Sequence, residues 1–127
     1  MIVYCAADLL WSTRIQGTGK AVGVVCRPVR SVDMLKARLA DSDVRAAIVD
    51  LEAPEMALEL IRALRSPGEG ALDPDRRLPI VAFGPHVAVE LFEQARAAGA
   101  DAVLARGAFD RRLGELLKEL DEPPAQE

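Results

Sequence analysis

Five short apolar runs punctuate the chain, and each is followed by a segment whose apolar residues recur at three- and four-residue spacing. Short apolar runs without alternation suit strands buried on both faces, while the longer periodic segments read as amphipathic helices. The first run, Ile2 to Ala7, leads into Asp8, an N-cap for a helix from Leu9 to Gln16 that Gly17-Thr18-Gly19 stops. The second, Ala21 to Cys26, ends at Arg27-Pro28, because proline cannot donate to a strand ladder. Ser31 then caps a helix with Asp33 in its first turn, favourable against the positive end of the helix dipole, and with Val32, Leu35 and Leu39 as one apolar stripe. Asp41-Ser42-Asp43 turns the chain into the third run, Ala46 to Asp50, which ends on an acid with Pro54 four residues later. From Pro54 to about Arg65 the residues Ala57, Leu60, Ile61 and Leu64 keep the spacing that buries one helix face.

Ser66 to Leu78 is the one long irregular stretch, rich in Pro, Gly and charge, and it exceeds the usual connection of about 4 to 6 residues. Lacking any aromatic residue, it reads as a surface insertion in preference to a partner-binding loop. A fourth strand, Pro79 to Gly84, precedes a helix from Pro85 to Ala98 closed by Gly99. A fifth strand, Asp101 to Arg106, precedes a last helix, about Phe109 to Leu120, with Leu113, Leu116, Leu117 and Leu120 on one face. Residues 121–127 read as a disordered acidic tail behind a single domain of residues 1–120. Strands alternating with helices predict a doubly wound α/β fold with a five-stranded parallel sheet. Right-handed crossovers then gather Asp8, Asp50, Gly84 and Arg106 at the carboxyl edge of that sheet, where such folds place ligands.

Composition narrows the function. A chain of 127 residues, half of them apolar, supports one hydrophobic core. The net charge of −4 comes from interspersed acids and bases with no basic block, which argues against nucleic acid as the direct partner. No apolar stretch approaches the roughly 20 residues of a membrane span, so a cytoplasmic protein that does not engage membranes is expected. Cys5 and Cys26 both lie in apolar runs and are expected to be buried thiols.

Asp50 with Pro54 four residues on, the Leu-Pro-Ile-Val run into the fourth strand, and the Ala-Gly-Ala-Asp-Ala-Val-Leu-Ala-Arg-Gly-Ala-Phe sequence from Ala98 to Phe109 together resemble the receiver domain of two-component response regulators. The likeness covers about residues 1 to 120 and implies a flavodoxin-like, CheY-like fold. It implies that Asp50 is the phosphoryl acceptor and that Asp8 survives from an acidic pair, with Ala7 or Leu9 at the other position. By the same likeness Gly84 stands where the family has a phosphoryl-binding Thr or Ser, and Arg106 where it has a Lys. Gly107 stands where it has Pro, and Val103 where it often has a switching Tyr or Phe. Mg²⁺ would be held by Asp8, Asp50 and the backbone carbonyl of Glu52.

Phosphoryl transfer to a carboxylate depends on charge neutralisation and positioning more than on covalent help. Gly84 offers no side chain to a phosphoryl oxygen, and Arg106 brings a planar fork where a compact ammonium would sit. A phosphoryl group shifts a conformational equilibrium only through contacts that differ between the states, and Gly84 and Val103 supply neither. The expected protein is a stand-alone, degenerate receiver, without enzymatic activity of its own, that binds a signalling protein. Its expected docking face, or homodimer face, is formed by the fourth helix, fifth strand and fifth helix. A second reading keeps Asp50 as a working acceptor in a phosphorelay from a histidine kinase, and a third is a small enzyme or nucleotide binder on the same fold. Each residue also has a structural role open to it: Asp50 as a polar-network acid, Asp8 as a cap, and Arg106 as the partner of Asp50 or Asp8 in a permanent salt bridge. His86 reads as a surface or capping residue, Trp11 as packing with an exposed edge, and Gly17-Thr18-Gly19-Lys20 as too short for a phosphate loop.

Overall fold

The computed structural model describes residues 1–66 and 78–122. Strands β1 (Ile2–Cys5), β2 (Cys26–Pro28), β3 (Ala46–Asp50), β4 (Ile80–Gly84) and β5 (Ala102–Ala105) form one parallel sheet in the order β2-β1-β3-β4-β5. Helices α1 (Leu9–Val22), α2 (Val32–Asp41), α3 (Pro54–Arg65), α4 (Val89–Ala98) and α5 (Arg106–Leu120) alternate with them. Every residue of β1, β3 and β4 is buried, which is why their apolar runs do not alternate. Successive side chains point to opposite faces. Val3, Val49 and Ala82 pack with Leu35 of α2, Leu60 and Ile61 of α3 and Ala95 of α4. Ile2, Tyr4, Ile48 and Phe83 pack on the other face with Ile15 of α1 and with Phe109, Leu113 and Leu117 of α5. The expected five-stranded, doubly wound architecture is therefore the observed one.

The largest departure is α1, which runs through Gly17-Thr18-Gly19 to Val22, with β2 starting only at Cys26. Glycine inside a helix costs about 1 kcal/mol against alanine, so the local reading ends the helix there. Tertiary packing overrides it: a Cβ on Gly19 would lie 2.7 Å from the carbonyl oxygen of Val24, so the chain's return towards β2 requires glycine at that spot. The helix closes instead at Gly23, whose φ of 77° is left-handed and whose N–H donates to the Gly19 carbonyl. Pro28 sits within the edge strand β2, where its missing donor is harmless.

The other departures are at helix starts. Pro85 to Ala88 form a turn, with the Ala88 N–H donating to the Pro85 carbonyl, and α4 begins at Val89. Arg106 does not end β5 but opens α5, three residues before the expected start. His86 is exposed in the turn ahead of α4. The expected insertion lies almost wholly in residues 67–77, outside the described residues, as do 123–127 of the expected tail. Asp121, at the tail's start, accepts a hydrogen bond from the Met1 amino group at 3.2 Å. Cys5 and Cys26 are buried and unpaired thiols, as expected.

Candidate functional site

Asp50 ends β3, the middle strand of the sheet, and is the buried acid of the core, with no exposed surface. Its Oδ2 accepts from the Ala7 N–H at 2.9 Å and its Oδ1 from the Glu52 N–H at 2.9 Å. The second bond is the local turn in which an Asp side chain accepts from the backbone two residues on. The Asp50 carbonyl also accepts from Ala53, and Pro54 enters the first turn of α3, so the loop after β3 is short and fixed at both ends. Burial pushes the Asp50 carboxyl above its ordinary range, against the pull of the two backbone donors; the Glu52 carboxylate pushes the same way and the Arg106 guanidinium opposes it.

Arg106 reaches over this loop from the first turn of α5 and forms an ion pair through its Nη2 with the Glu52 carboxylate. The expected pairing with Asp50 or Asp8 is thus corrected. The strand's early end at Ala105 places Arg106 on the helix, and from there its partner is the more accessible acid of the β3–α3 loop. About one third of each side chain in the pair remains exposed, while the Nε of Arg106 is buried without a partner.

Asp8 is exposed and spends Oδ1 on the N–H of Trp11, capping α1 at 2.9 Å. It lines a cleft of about 240 Å³ together with Tyr4, Ala7, Ser12 and Arg30, on the β1–β2 side of the edge, and Asp50 is not part of that cleft's wall. The residue in contact with Asp50 from the β1–α1 junction is Ala7, through its backbone. Among the described residues, no three His, Cys, Asp or Glu side chains assemble into a metal-ligand group.

Gly84, at the end of β4, is filled around by apolar neighbours. A Cβ there would lie 3.1 Å from Leu51 Cβ and 3.4 Å from the Phe92 ring of α4. Leu51 is wholly buried, and its N–H donates to the Phe83 carbonyl. Val103 lies on β5, half-buried against the α2–α4 side of the core. Behind β4 the Phe83 and Phe109 rings stack with centroids 4.1 Å apart, and Trp11 tilts against both at 5.0 and 5.7 Å. Trp11 is thus the packing residue expected.

Three contributors were missed in the sequence: the Glu52 side chain, Leu51 and Phe92. Glu52 carried a signal in being the acid two residues after Asp50, but its partner is remote in the chain. The Gly17-Thr18-Gly19-Lys20 segment lies inside α1, which removes it as a phosphate loop.

No family model and no curated protein sequence matches the chain. Solved structures do. A response regulator from Hahella chejuensis is 18% identical with a TM-score of 0.74, over 99% of this chain and 98% of that one. The receiver domain of a sensor histidine kinase from Pseudomonas aeruginosa, whose active-site cleft holds a magnesium ion, is 19% identical with a TM-score of 0.72 over 94% of each chain. A chemotaxis response regulator of Vibrio cholerae is 15% identical with a TM-score of 0.70, over 94% of this chain and 96% of that one. These likenesses define the fold as that of response-regulator receiver domains, the CheY-like form of the flavodoxin-like fold. Among the described residues no helix is long and apolar enough to cross a membrane.

Proposed function

We propose that this chain is an atypical receiver module that signals by binding another protein, with phosphoryl chemistry at Asp50 impaired or absent. The observation that supports this reading best is the packing at Gly84: the β4 end offers no hydroxyl, and a Cβ added there would lie 3.1 Å from Leu51 Cβ, so a Thr or Ser would fit only if Leu51 gave way by a few tenths of an ångström. The remaining groups lean the same way. Arg106 is engaged by Glu52, Asp8 caps a helix, and Ala7 meets Asp50 through its backbone. Each well-aimed donor missing from such a site typically costs on the order of 10² to 10³ in rate, so several losses together leave little chemistry.

Mg²⁺, carried over from the receiver domain that holds one, finds a partial fit. The chain offers the Asp50 carboxylate and the Glu52 carbonyl, with Asp8 as the second acid already serving α1. Mg²⁺ retains several waters and is held by one or two carboxylates in many sites, so a weakly bound ion is the expectation. When bound it would neutralise charge beside Asp50; the protein's own residues position that carboxylate and shield it from water.

The partner, a signalling protein or histidine kinase, or a second copy of the chain, would dock on the surface of α4, β5 and α5. In support, β5 is an edge strand whose four residues are all half-buried, and Val89 at the start of α4 is 61% exposed. The second reading, a phosphorelay acceptor, is favoured by the carboxylate itself: Asp50 is held on a rigid strand end by two backbone donors.

Intact-mass spectrometry with Mg²⁺ and a small phosphodonor, beside Asp50→Asn, separates the two readings. An unchanged mass is expected. A phosphoryl increment that disappears in Asp50→Asn would replace the first reading with the second.

A further inference from the structure

Glu52, Arg106 and Asp50 form one charged cluster at the carboxyl edge of the sheet. We infer that the Glu52 side chain decides whether an oxyanion is admitted beside Asp50, because its carboxylate occupies the guanidinium of Arg106 that such an anion would use. The inference deepens the impaired-site reading above and rests on it for the location of the site.

The charge balance carries the first step. Asp50 and Glu52 are two acids on one short loop, and Arg106 is the base that pairs within it, so the cluster as it stands is net negative. An approaching oxyanion meets that negative field with its natural counter-ion already engaged. The Glu52 N–H is also committed, to Asp50 Oδ1. Glu52 therefore acts twice, its backbone fixing the Asp50 carboxylate and its side chain withdrawing the cation.

The second step comes from Arg106. Its ion pair runs through one terminal nitrogen, and its Nε is buried with no acceptor. A guanidinium presents several donors in a fixed fork suited to bidentate oxyanions. The present pairing leaves the Nε of that fork without an acceptor, so Arg106 has donors to offer an anion once Glu52 no longer competes. A pair with one third of each side chain in water is weak enough to exchange and is screened by salt. Removing the Glu52 charge both frees the cation and lifts a repulsion, each worth a few-fold in affinity, so a combined gain of about tenfold is expected.

The test uses beryllofluoride as a tetrahedral anion probe, with MgCl₂ at low ionic strength, titrated into the full chain and followed by amide chemical shifts near Asp50. Glu52→Gln is expected to bind about tenfold more tightly than the unmodified protein. Glu52→Gln/Arg106→Gln is expected to return to the starting affinity, and the gain should shrink in added salt. Because the pair is partly exposed, these variants should fold, and Glu52→Ala serves as a second check that the gain follows the lost charge. Equal affinity of the unmodified protein and Glu52→Gln overturns the inference, as does a gain that survives loss of Arg106. The ratio of affinities tests Glu52, whereas the absolute affinity of the unmodified protein tests the impaired-site reading. Tight binding by both forms overturns both ideas. Tight binding by the unmodified protein with a further tenfold gain on Glu52→Gln overturns only the impaired-site reading.

Discussion

The two ends of the sheet each carry an arginine that ties elements together, and the two are tied very differently. At the amino edge Arg65, at the end of α3, donates to the Gly99 carbonyl at 3.0 Å, to the Leu78 carbonyl at 2.7 Å and to Asp101 at 2.6 Å. The same Asp101 oxygen accepts from the Ile80 N–H at 2.8 Å, so one arginine ties α3, the start of β4 and the α4–β5 turn into a single knot. At the carboxyl edge Arg106 makes one ion pair and keeps a buried donor unmet. Of the helices whose first turns face that edge, α1 and α2 are capped by Asp8 and Ser31, while α3, α4 and α5 have no side-chain cap. The contrast is between two arginines: Arg65 uses its fork on three acceptors, whereas Arg106 makes one ion pair, and a residue tied by more bonds in a less exposed place is expected to carry more of the stability.

The sharpest way to break this comparison is to remove the two arginines separately. Arg65→Met is expected to cost about 2–4 kcal/mol, since three hydrogen bonds go, two of them to backbone carbonyls in a partly buried site. Arg106→Met is expected to cost no more than about 1 kcal/mol, in line with a partly exposed pair. Urea unfolding of both variants measures the gap. Equal losses would mean that the carboxyl edge is as firmly built as the amino edge.

The same comparison explains what could be read from the sequence. Local chemistry was legible: Ser31 accepts from the Met34 N–H as a cap, Pro54 enters the first turn of α3, and Leu113, Leu116 and Leu117 bury one face of α5. The parallel sheet and the common edge of Asp8, Asp50, Gly84 and Arg106 followed from alternation and handedness, whereas the strand order β2-β1-β3-β4-β5 was seen only in the structure. What the sequence hid were decisions made by residues far apart. Gly19 reads as a helix stop until Val24 is seen against it, and Arg106 reads as a strand end paired with Asp50 or Asp8 until α5 is seen to start there and its partner is seen to be Glu52.

Gly84→Thr sharpens the comparison on the packed side of the carboxyl edge. If this position is an emptied switch, the hydroxyl should be accommodated at little cost. With Leu51 Cβ 3.1 Å from the new Cβ and the Phe92 ring beside it, overpacking is expected instead, at about 1–3 kcal/mol. Thermal unfolding measures it, and an unchanged midpoint would show that Leu51 and Phe92 give way and that the switch volume persists.

The smallest and most specific effect is the pH dependence contributed by Asp50. Its carboxyl sits above the ordinary value of 3.8 in the folded protein, chiefly through burial. Below that value both folded and unfolded chains carry the proton, and Asp50 contributes no difference. As pH rises, the unfolded chain ionises first, so the folded state is the one that retains the proton; stability falls through this window and levels off once the folded carboxyl has ionised. Asp50→Asn cannot titrate and lacks this decline. Whatever constant offset the amide introduces by meeting one of the two N–H donors with its own NH₂, the stability of Asp50→Asn minus that of the unmodified protein should grow from acid towards neutral pH and then become flat. The neighbouring Glu52 and Arg106 set the height of the plateau: Glu52→Gln should lower it, by removing the charge that raises the Asp50 carboxyl, and Arg106→Gln should raise it. Urea unfolding of the unmodified protein and Asp50→Asn between pH 3 and pH 8 reads the curve. A difference that falls with pH would mean that the two backbone donors outweigh burial, and that the carboxylate is held ready in its charged form, as a phosphoryl acceptor requires.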